Sequence, residues 1–439
     1  MNEDKYMSNI DEIKIKNLNA YGPILGNRWF QLVAAAIAMI MIANLQYAWT
    51  LFTSPLVTQL KSSLTVIQYA FTLFIMFETF VQPAGGYLLD RFGSKLMFTV
   101  AGLLVGFGWT MMGQSNSVIS LYVYYSIAGV GAAVIYGGCV SVAIRWFPDR
   151  RGMASGIMAG AFGLGSMPFI PVIGKLLQTS GVMQTFRLTG ILQGIVIVIV
   201  AFILRYPVGS KMPNKKEIIT KLDQSKIGFR PTEMLKTPHF WLIWSMLFAV
   251  NVGGLIITAN TKPFGNKLGI AASYIILAVM MNSLANGTGR VFWGWVSDKL
   301  GRPKTMFVSF GLNAVFLFML PIIGGISNVL YVICLMLIMF TWGQLFSLFP
   351  SINADMFGCT YAASNYGFLY SAKGIAAILG GGLGAFLAST FGWNVVFSVA
   401  AVFSLYASIM SLILPKIAKP VRKKFIVNKI NVIKSESKW

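Results

Sequence analysis

Long apolar stretches separated by short polar segments recur along nearly the whole chain. Each is close to the length of about 20 residues with which a helix crosses a hydrocarbon core. A longer polar segment at 207–237 divides them into two sets of six. The pattern predicts an all-α polytopic membrane protein with twelve transmembrane helices in two pseudo-symmetric six-helix halves, at residues 29–51, 67–89, 96–113, 119–144, 152–177, 188–206, 240–260, 272–296, 305–323, 329–349, 361–388 and 393–414.

The polar segments complete the domain organisation. The first apolar stretch follows a hydrophilic arm and is too long for the core of a cleaved secretory signal. We therefore predict an N-terminal arm at 1–28, a first half at 29–206, a central loop at 207–237, a second half at 238–414 and a basic tail at 415–439.

Composition agrees with a membrane protein and argues against the main soluble classes. Hydrophobic residues make up 56% and charged residues 11% of the 439 residues, whereas soluble proteins average about 25% charged. Three cysteines provide no disulfide framework, and we find neither a nucleophile triad nor a metal-ligand cluster in the sequence. We therefore expect no enzyme activity, no metal and no cofactor.

The basic residues are distributed unevenly. Of 35 lysines and arginines, 28 fall in segments on the same side as both predicted termini, five on the other side and two inside apolar stretches. Because such residues concentrate in cytoplasmic segments, we expect both termini in the cytoplasm. The net charge of +22 then faces the anionic cytoplasmic leaflet and requires no nucleic acid.

A polar motif occurs once in each half. It reads GYLLDRFGSK at 86–95 and GWVSDKLGRPK at 294–304, 208 positions apart. A second, weaker repeat relates residues 145–147 to residues 355–357. The motifs resemble the cytoplasmic loop signature of the major facilitator superfamily, although a single copy could be a plain solvated turn. Two related halves suggest a carrier that rocks around a central site. We predict a cytoplasmic gate from the charged motif residues Asp90, Arg91, Arg145, Asp298, Lys299, Arg302 and Asp355.

Three ionisable residues lie inside apolar stretches: Glu78, Arg290 and Lys373. Each charge at mid-helix costs roughly 2.5–3.5 kcal/mol to insert. A carrier of water-soluble anions has a reason to keep two cations, and we expect Arg290 and Lys373 to hold the substrate from facing halves. The alternative is that their long side chains snorkel to the membrane surface. Glu78 could pair with Lys373 and change the charge of the site.

Amide and aromatic side chains occur at comparable depth in other stretches. We select Gln46, Tyr47, Tyr136, Trp342 and Tyr370 as candidates for the walls of the site. A buried tyrosine hydroxyl needs a partner, which a carboxylate could provide. For any single aromatic residue, ordinary helix packing is the alternative.

The most specific stretches resemble the oxalate/formate antiporter family within that superfamily, from about residue 25 to 416. They include QYAWTL at 46–51, RWFPDRRG at 145–152, RVFWGWVSD at 290–298 and NYGFLYSAK at 365–373. The resemblance implies a bacterial inner-membrane exchanger in which Arg290 and Lys373 hold a dicarboxylate between Gln46, Tyr47, Tyr136 and Trp342. Three positions depart from the family's pattern: Phe346 replaces a tyrosine, Tyr370 a tryptophan and Glu78 an expected amide.

Together, these observations predict a secondary active transporter of small carboxylate anions that works by alternating access, as an oxalate:formate-type exchanger. Its partners would be a carboxylate substrate, a counter-substrate and the lipid bilayer, and we expect a monomer. A proton-coupled symporter of monocarboxylates such as lactate, pyruvate or formate is the main alternative. A non-transporting sensor is disfavoured because we find no sizeable extra domain.

Overall fold

The computed structural model describes residues 20–147, 150–207, 228–358 and 361–417. These parts of the chain are helical and contain no strand. We number the helices α1 to α18, in order Arg28–Tyr47, Trp49–Leu60, Leu64–Phe80, Gln82–Phe92, Ser94–Met112, Val118–Trp146, Arg151–Leu164, Phe169–Thr179, Gly181–Ile203, Pro231–Met234, Pro238–Lys267, Ala272–Leu300, Arg302–Ile323, Asn328–Gly343, Leu345–Phe357, Ala362–Gly380, Gly382–Phe391 and Trp393–Ile413.

Most of these helices are long and apolar enough to cross a membrane. Among the described residues ten spans satisfy length and composition, or eleven if the bent pair α3 and α4 is one span. The predicted eighth span, which corresponds to α12, is not among them. This helix is 29 residues long, but buried Asn282, Asn286 and Arg290 make it more polar. The all-α membrane class is confirmed, and the count of twelve spans stays a prediction.

Sequence signals explain where several helices begin and end. The side chains of Asn27 and Ser63 accept hydrogen bonds from the Trp29 and Val66 N–H groups, in the first turns of α1 and α3, as N-caps do. The repeated motif ends α4 at Gly93 and α12 at Gly301, with φ of 84° and 83°. Only glycine adopts such angles without strain, so the two motifs share a backbone turn as well as a sequence.

Several predicted spans contain a break in the helix. Breaks fall at Ala48, Val81, Gln344 and Gly381, and between α7 and α8. The 42° bend between α3 and α4 comes just before Pro83, which has no N–H to donate. At Gly381 the side chain of Thr72 donates to the Ala377 carbonyl at 3.1 Å and accepts from the Gly382 N–H at 3.1 Å. Thr72 of α3 therefore provides an acceptor for the Gly382 N–H, at the start of the helix that follows the break.

We call α1 to α9 the N-terminal set and α11 to α18 the C-terminal set. The two sets meet where α3 packs against α16 and where α7 packs against α12. We call the end of the molecule at which α1 begins the proximal end, and the end at which α2 stops the distal end. At the distal end, Gln68 donates to the Ala259 carbonyl at 2.7 Å and to Asn260 at 3.0 Å. Lys262 Nζ donates to the Leu51 carbonyl at 2.8 Å. Hydrogen bonds between the two sets thus form a distal seal.

The predicted arm, central loop and tail fall largely outside the described residues. Most of the arm, the central loop and the tail belongs to 1–19, 208–227 and 418–439. The described part of the central loop contains the short helix α10. The boundaries at 28, 207, 237 and 415 stay predictions.

Candidate substrate-binding site

Arg290 of α12 faces the interior of the protein. It is 3% exposed, and its guanidinium donates to Asn286 Oδ1 through Nε at 3.2 Å and Nη2 at 2.8 Å. Nη2 also donates to the Tyr47 hydroxyl at 3.3 Å, and Nη1 donates to the Ala159 carbonyl. Helices from both sets therefore hold Arg290, and the snorkelling alternative is wrong.

Lys373 of α16 is fully buried. Its ammonium donates to Glu78 Oε2 at 2.8 Å, to Gln46 Oε1 at 3.1 Å and to the Tyr370 hydroxyl at 3.2 Å. Glu78 is 2% exposed, so the two charges form a buried ion pair. Burial of either charge alone would be costly, which gives a physical reason for their contact. The expected pairing of Glu78 with Lys373 is confirmed.

The two sets of helices contribute opposite chemistry to this cluster. Both cations, Arg290 and Lys373, come from the C-terminal set, whereas Gln46, Tyr47 and Glu78 come from the N-terminal set. The expectation that Lys373 acts from the half facing Arg290 is therefore wrong. The eighth and eleventh spans belong to the same half, and the N-terminal set supplies hydrogen-bond acceptors instead. Each cation consequently bonds across the boundary between the sets.

Two phenylalanine rings lie beside both cations. The Phe346 centroid is 4.2 Å from Arg290 Cζ and 5.9 Å from Lys373 Nζ. The Phe162 centroid is 6.0 Å from each of the same two atoms. The negative face of an aromatic ring attracts a cation and excludes water from it. The two charges therefore share one aromatic enclosure.

The remaining predicted wall residues extend this enclosure. Tyr136 packs edge-on against Phe162 at 5.2 Å and lies 6.3 Å from Tyr370, with nearly parallel rings. Trp342 packs edge-on against Phe346 at 5.4 Å between centroids. The structure thus brings the predicted wall residues together, in contact with one another, with Phe346 or with a cation.

Several buried N–H groups around the cations lack a partner. Among the described residues these include Gln46 Nε2, Asn286 Nδ2 and Trp342 Nε1. The oxygens of both amides already accept from Lys373 and Arg290, so the free end of each amide is a donor. Trp342 is held in place by Gly254, where a β-carbon would overlap the indole ring. The amide donors of Gln46 and Asn286, whose oxygens bind the two cations, are suited to the oxygens of an anion.

The site includes residues that sequence reasoning missed. Asn286 precedes Arg290 by four positions, so it shares the same helix face, and a search for polar neighbours at that spacing would have found it. Phe162 and the Ala159 carbonyl gave no comparable signal. A phenylalanine in an apolar helix is usually a packing residue, and every residue has a carbonyl.

The predicted gate residues lie at the proximal end. Arg302 pairs with Asp298 at 2.9 Å and with Asp355 at 3.6 Å, all within the C-terminal set. Lys299 lies 4.0 Å from the Trp295 ring. Arg91 and Arg145 lie over Phe92 and Tyr206, at 5.5 and 4.1 Å, and the side chain of Asp90 is outside the described part of the structure. A gating role for these residues stays a prediction.

Comparison with known proteins identifies the family. The sequence profile of the Major Facilitator Superfamily matches residues 34–380 and 252–433. The chain belongs to this superfamily. It is a multi-pass membrane protein and a transporter, not an enzyme.

Individual relatives agree with this assignment. The chain is 45% identical over 401 residues to the oxalate:formate antiporter of Oxalobacter formigenes, covering 91% of this chain and 94% of that protein. It is 26% identical to an uncharacterized MFS-type transporter of Escherichia coli, YhjX, over 80% of this chain and 86% of the relative. It is also 22% identical to apicoplast pyruvate carrier 1 of Toxoplasma gondii, over 69% and 66% of the two chains. The resemblance to the antiporter family drawn from the motifs is confirmed.

Proposed function

We propose that this protein exchanges small carboxylate anions across the membrane, as an oxalate:formate-type antiporter. The observation that carries the proposal is the pair of buried cations, Arg290 and Lys373, which share one aromatic enclosure with unpaired N–H donors. The name of the 45% identical relative supports the choice of oxalate and formate. A planar guanidinium suits a carboxylate because it donates two parallel hydrogen bonds.

Alternating access follows from how the two sets share the site. Arg290 reaches Tyr47 and the Ala159 carbonyl of the N-terminal set, and Lys373 reaches Gln46 and Glu78. A carboxylate that enters between the sets competes for these N–H donors. Exchange of protein acceptors for substrate oxygens would link occupancy of the site to the movement of one set against the other.

The membrane placement is part of the proposal. The excess of lysine and arginine on one side supports cytoplasmic termini, and the bacterial relatives support the inner membrane of a bacterium. Side chains of a single chain form the whole cluster, which supports a monomer as the transporting unit. The substrate and a counter-substrate are its expected small-molecule partners, and the anionic cytoplasmic leaflet its lipid partner.

A proton-coupled monocarboxylate symporter is the second candidate. The presence of Glu78, a buried carboxylate in a membrane-spanning helix, favours it, since such residues occur in the proton relays of transporters. The pyruvate carrier among the relatives gives additional support for a monocarboxylate.

Counterflow in proteoliposomes tests the proposal. Purified protein would be reconstituted in vesicles loaded with unlabelled oxalate, formate, lactate or pyruvate, and uptake of each labelled anion would be followed. Exchange predicts that an internal carboxylate accelerates uptake of the labelled anion and that an imposed pH gradient does not change this uptake. Uptake driven by the pH gradient without internal carboxylate would support the symporter instead. No uptake of any of the four anions would contradict both candidates.

A further inference from the structure

The three hydrogen-bond donors of Lys373 are all in use. An ammonium group has three N–H bonds, and these meet Glu78 Oε2, Gln46 Oε1 and the Tyr370 hydroxyl at 2.8, 3.1 and 3.2 Å. One of the three acceptors is a full negative charge. A substrate carboxylate can therefore bind Lys373 only by displacing a group that the protein already provides.

Arg290 differs because its acceptors are neutral. They are the Asn286 side chain, the Tyr47 hydroxyl and the Ala159 carbonyl. In the described ranges of the chain, no carboxylate lies within 4.0 Å of this guanidinium, whereas Glu78 lies 2.8 Å from Lys373. The charge of Arg290 is thus left for a ligand to balance.

The charges of the enclosure sum to one positive charge. Arg290 and Lys373 contribute two, and Glu78 removes one. A bound monocarboxylate leaves the enclosure neutral. A dicarboxylate leaves it with a net negative charge unless Glu78 moves away from Lys373, and an unbalanced charge is unfavourable in a site that water does not reach.

We propose that Glu78 is a built-in counter-anion that occupies the position on Lys373 where a second substrate carboxylate would bind. The carrier therefore prefers monocarboxylates to dicarboxylates, with Arg290 as the principal anion-binding group. This inference rests on the proposed function and narrows its substrate class.

The same ion pair bears on transport without counter-substrate. Glu78 belongs to α3 and Lys373 to α16, so the pair joins the N-terminal and C-terminal sets by opposite charges. Substrate is not needed to neutralise Lys373 as the sets close. We therefore expect the carrier to reorient without bound substrate and to show net uptake as well as exchange.

The test compares the full-length protein with Glu78→Gln in proteoliposomes, with formate and oxalate as probes. The wild type should prefer formate and take it up into vesicles that contain no carboxylate. In the variant, the ratio of oxalate to formate counterflow should rise at least tenfold, and net formate uptake should fall at least tenfold. An unchanged ratio with counterflow retained would overturn the inference.

A matched double variant separates charge from shape. Gln46→Glu combined with Glu78→Gln moves the carboxylate to the other N-terminal acceptor of Lys373, 3.1 Å from Nζ in the wild type. It should restore the preference for formate. Failure to restore it, in a protein that still transports, would show that the position and not the charge of Glu78 matters, and the inference would be wrong.

Measurements on the wild type cover the case in which Glu78→Gln does not fold. At equal concentrations, formate should raise the melting temperature of the wild type more than oxalate does, and the opposite order would overturn the inference. If the wild type exchanges no carboxylate, the proposed function fails, and the inference fails with it. Carboxylate exchange with oxalate preferred overturns the inference alone.

Discussion

Replacement of Arg290 tests the central assignment most directly. Arg290→Lys retains the charge, but one ammonium cannot copy a guanidinium that reaches Asn286 through two nitrogens and Ala159 through a third. Arg290→Gln removes the charge itself. The two variants therefore separate hydrogen-bond geometry from electrostatic attraction.

The expected magnitudes differ between the two variants. A hydrogen bond from a charged donor contributes about 1.5–3 kcal/mol, so loss of one substrate bond in Arg290→Lys should weaken binding by about 30-fold. Removal of the charge forfeits a Coulomb attraction of about 4 kcal/mol at 4 Å and an effective dielectric constant near 20. Arg290→Gln should therefore weaken binding by about a thousandfold.

Concentration dependence of counterflow measures both effects in proteoliposomes. Arg187→Lys is a matched control because Arg187 of α9 is exposed and distant in sequence from the site residues; it should transport like the wild type. The assignment of Arg290 is refuted if Arg290→Gln transports within threefold of the wild type. Equal losses in Arg290→Lys and Arg290→Gln would refute the part of the reasoning that depends on charge.

Two other substitutions have defined expectations. Asn286→Ala removes the acceptor that orients Arg290 and should raise the KM for formate about tenfold. Asn116→Ala, at an exposed position, is the control, and an unchanged KM in Asn286→Ala would exclude a positioning role. Gly254→Ala places a methyl group against Trp342 and should lower the free energy of unfolding by about 1–3 kcal/mol. Gly311→Ala, where a β-carbon has an ordinary contact, should change thermal stability little, and equal melting temperatures for the two variants would contradict the close contact at 254.

The charged members of the site were predictable because of their cost. A charge in an apolar helix is unfavourable enough to need a reason, and this singled out Glu78, Arg290 and Lys373. Their mutual arrangement was less accessible, because sequence does not show which faces of the helices converge. The assignment of Lys373 to the facing half failed for that reason.

The long helices were predictable from length and hydropathy, but their interruptions were not. The break at Gly381 depends on Thr72, more than 300 positions away in the sequence, which satisfies backbone groups on either side of it. Asn286, which binds Arg290, and Arg290 itself make α12 more polar. The polar residues of the site therefore weakened the hydropathy pattern of the helix that carries them. Phe162 was missed because nothing local distinguishes it from a packing residue.

Substitutions at the donor and acceptor positions of the distal seal should have unequal effects. Gln68 and Lys262 of the seal, and Thr72 one helical turn from Gln68, each donate to a main-chain oxygen, those of Ala259, Leu51 and Ala377. Gln68 also donates to the side chain of Asn260. A side-chain substitution removes a donor but leaves a carbonyl in place. Genetic screens for carriers that leak at this end would therefore recover changes at the three donor positions, while the three positions opposite them would tolerate most residues of similar size.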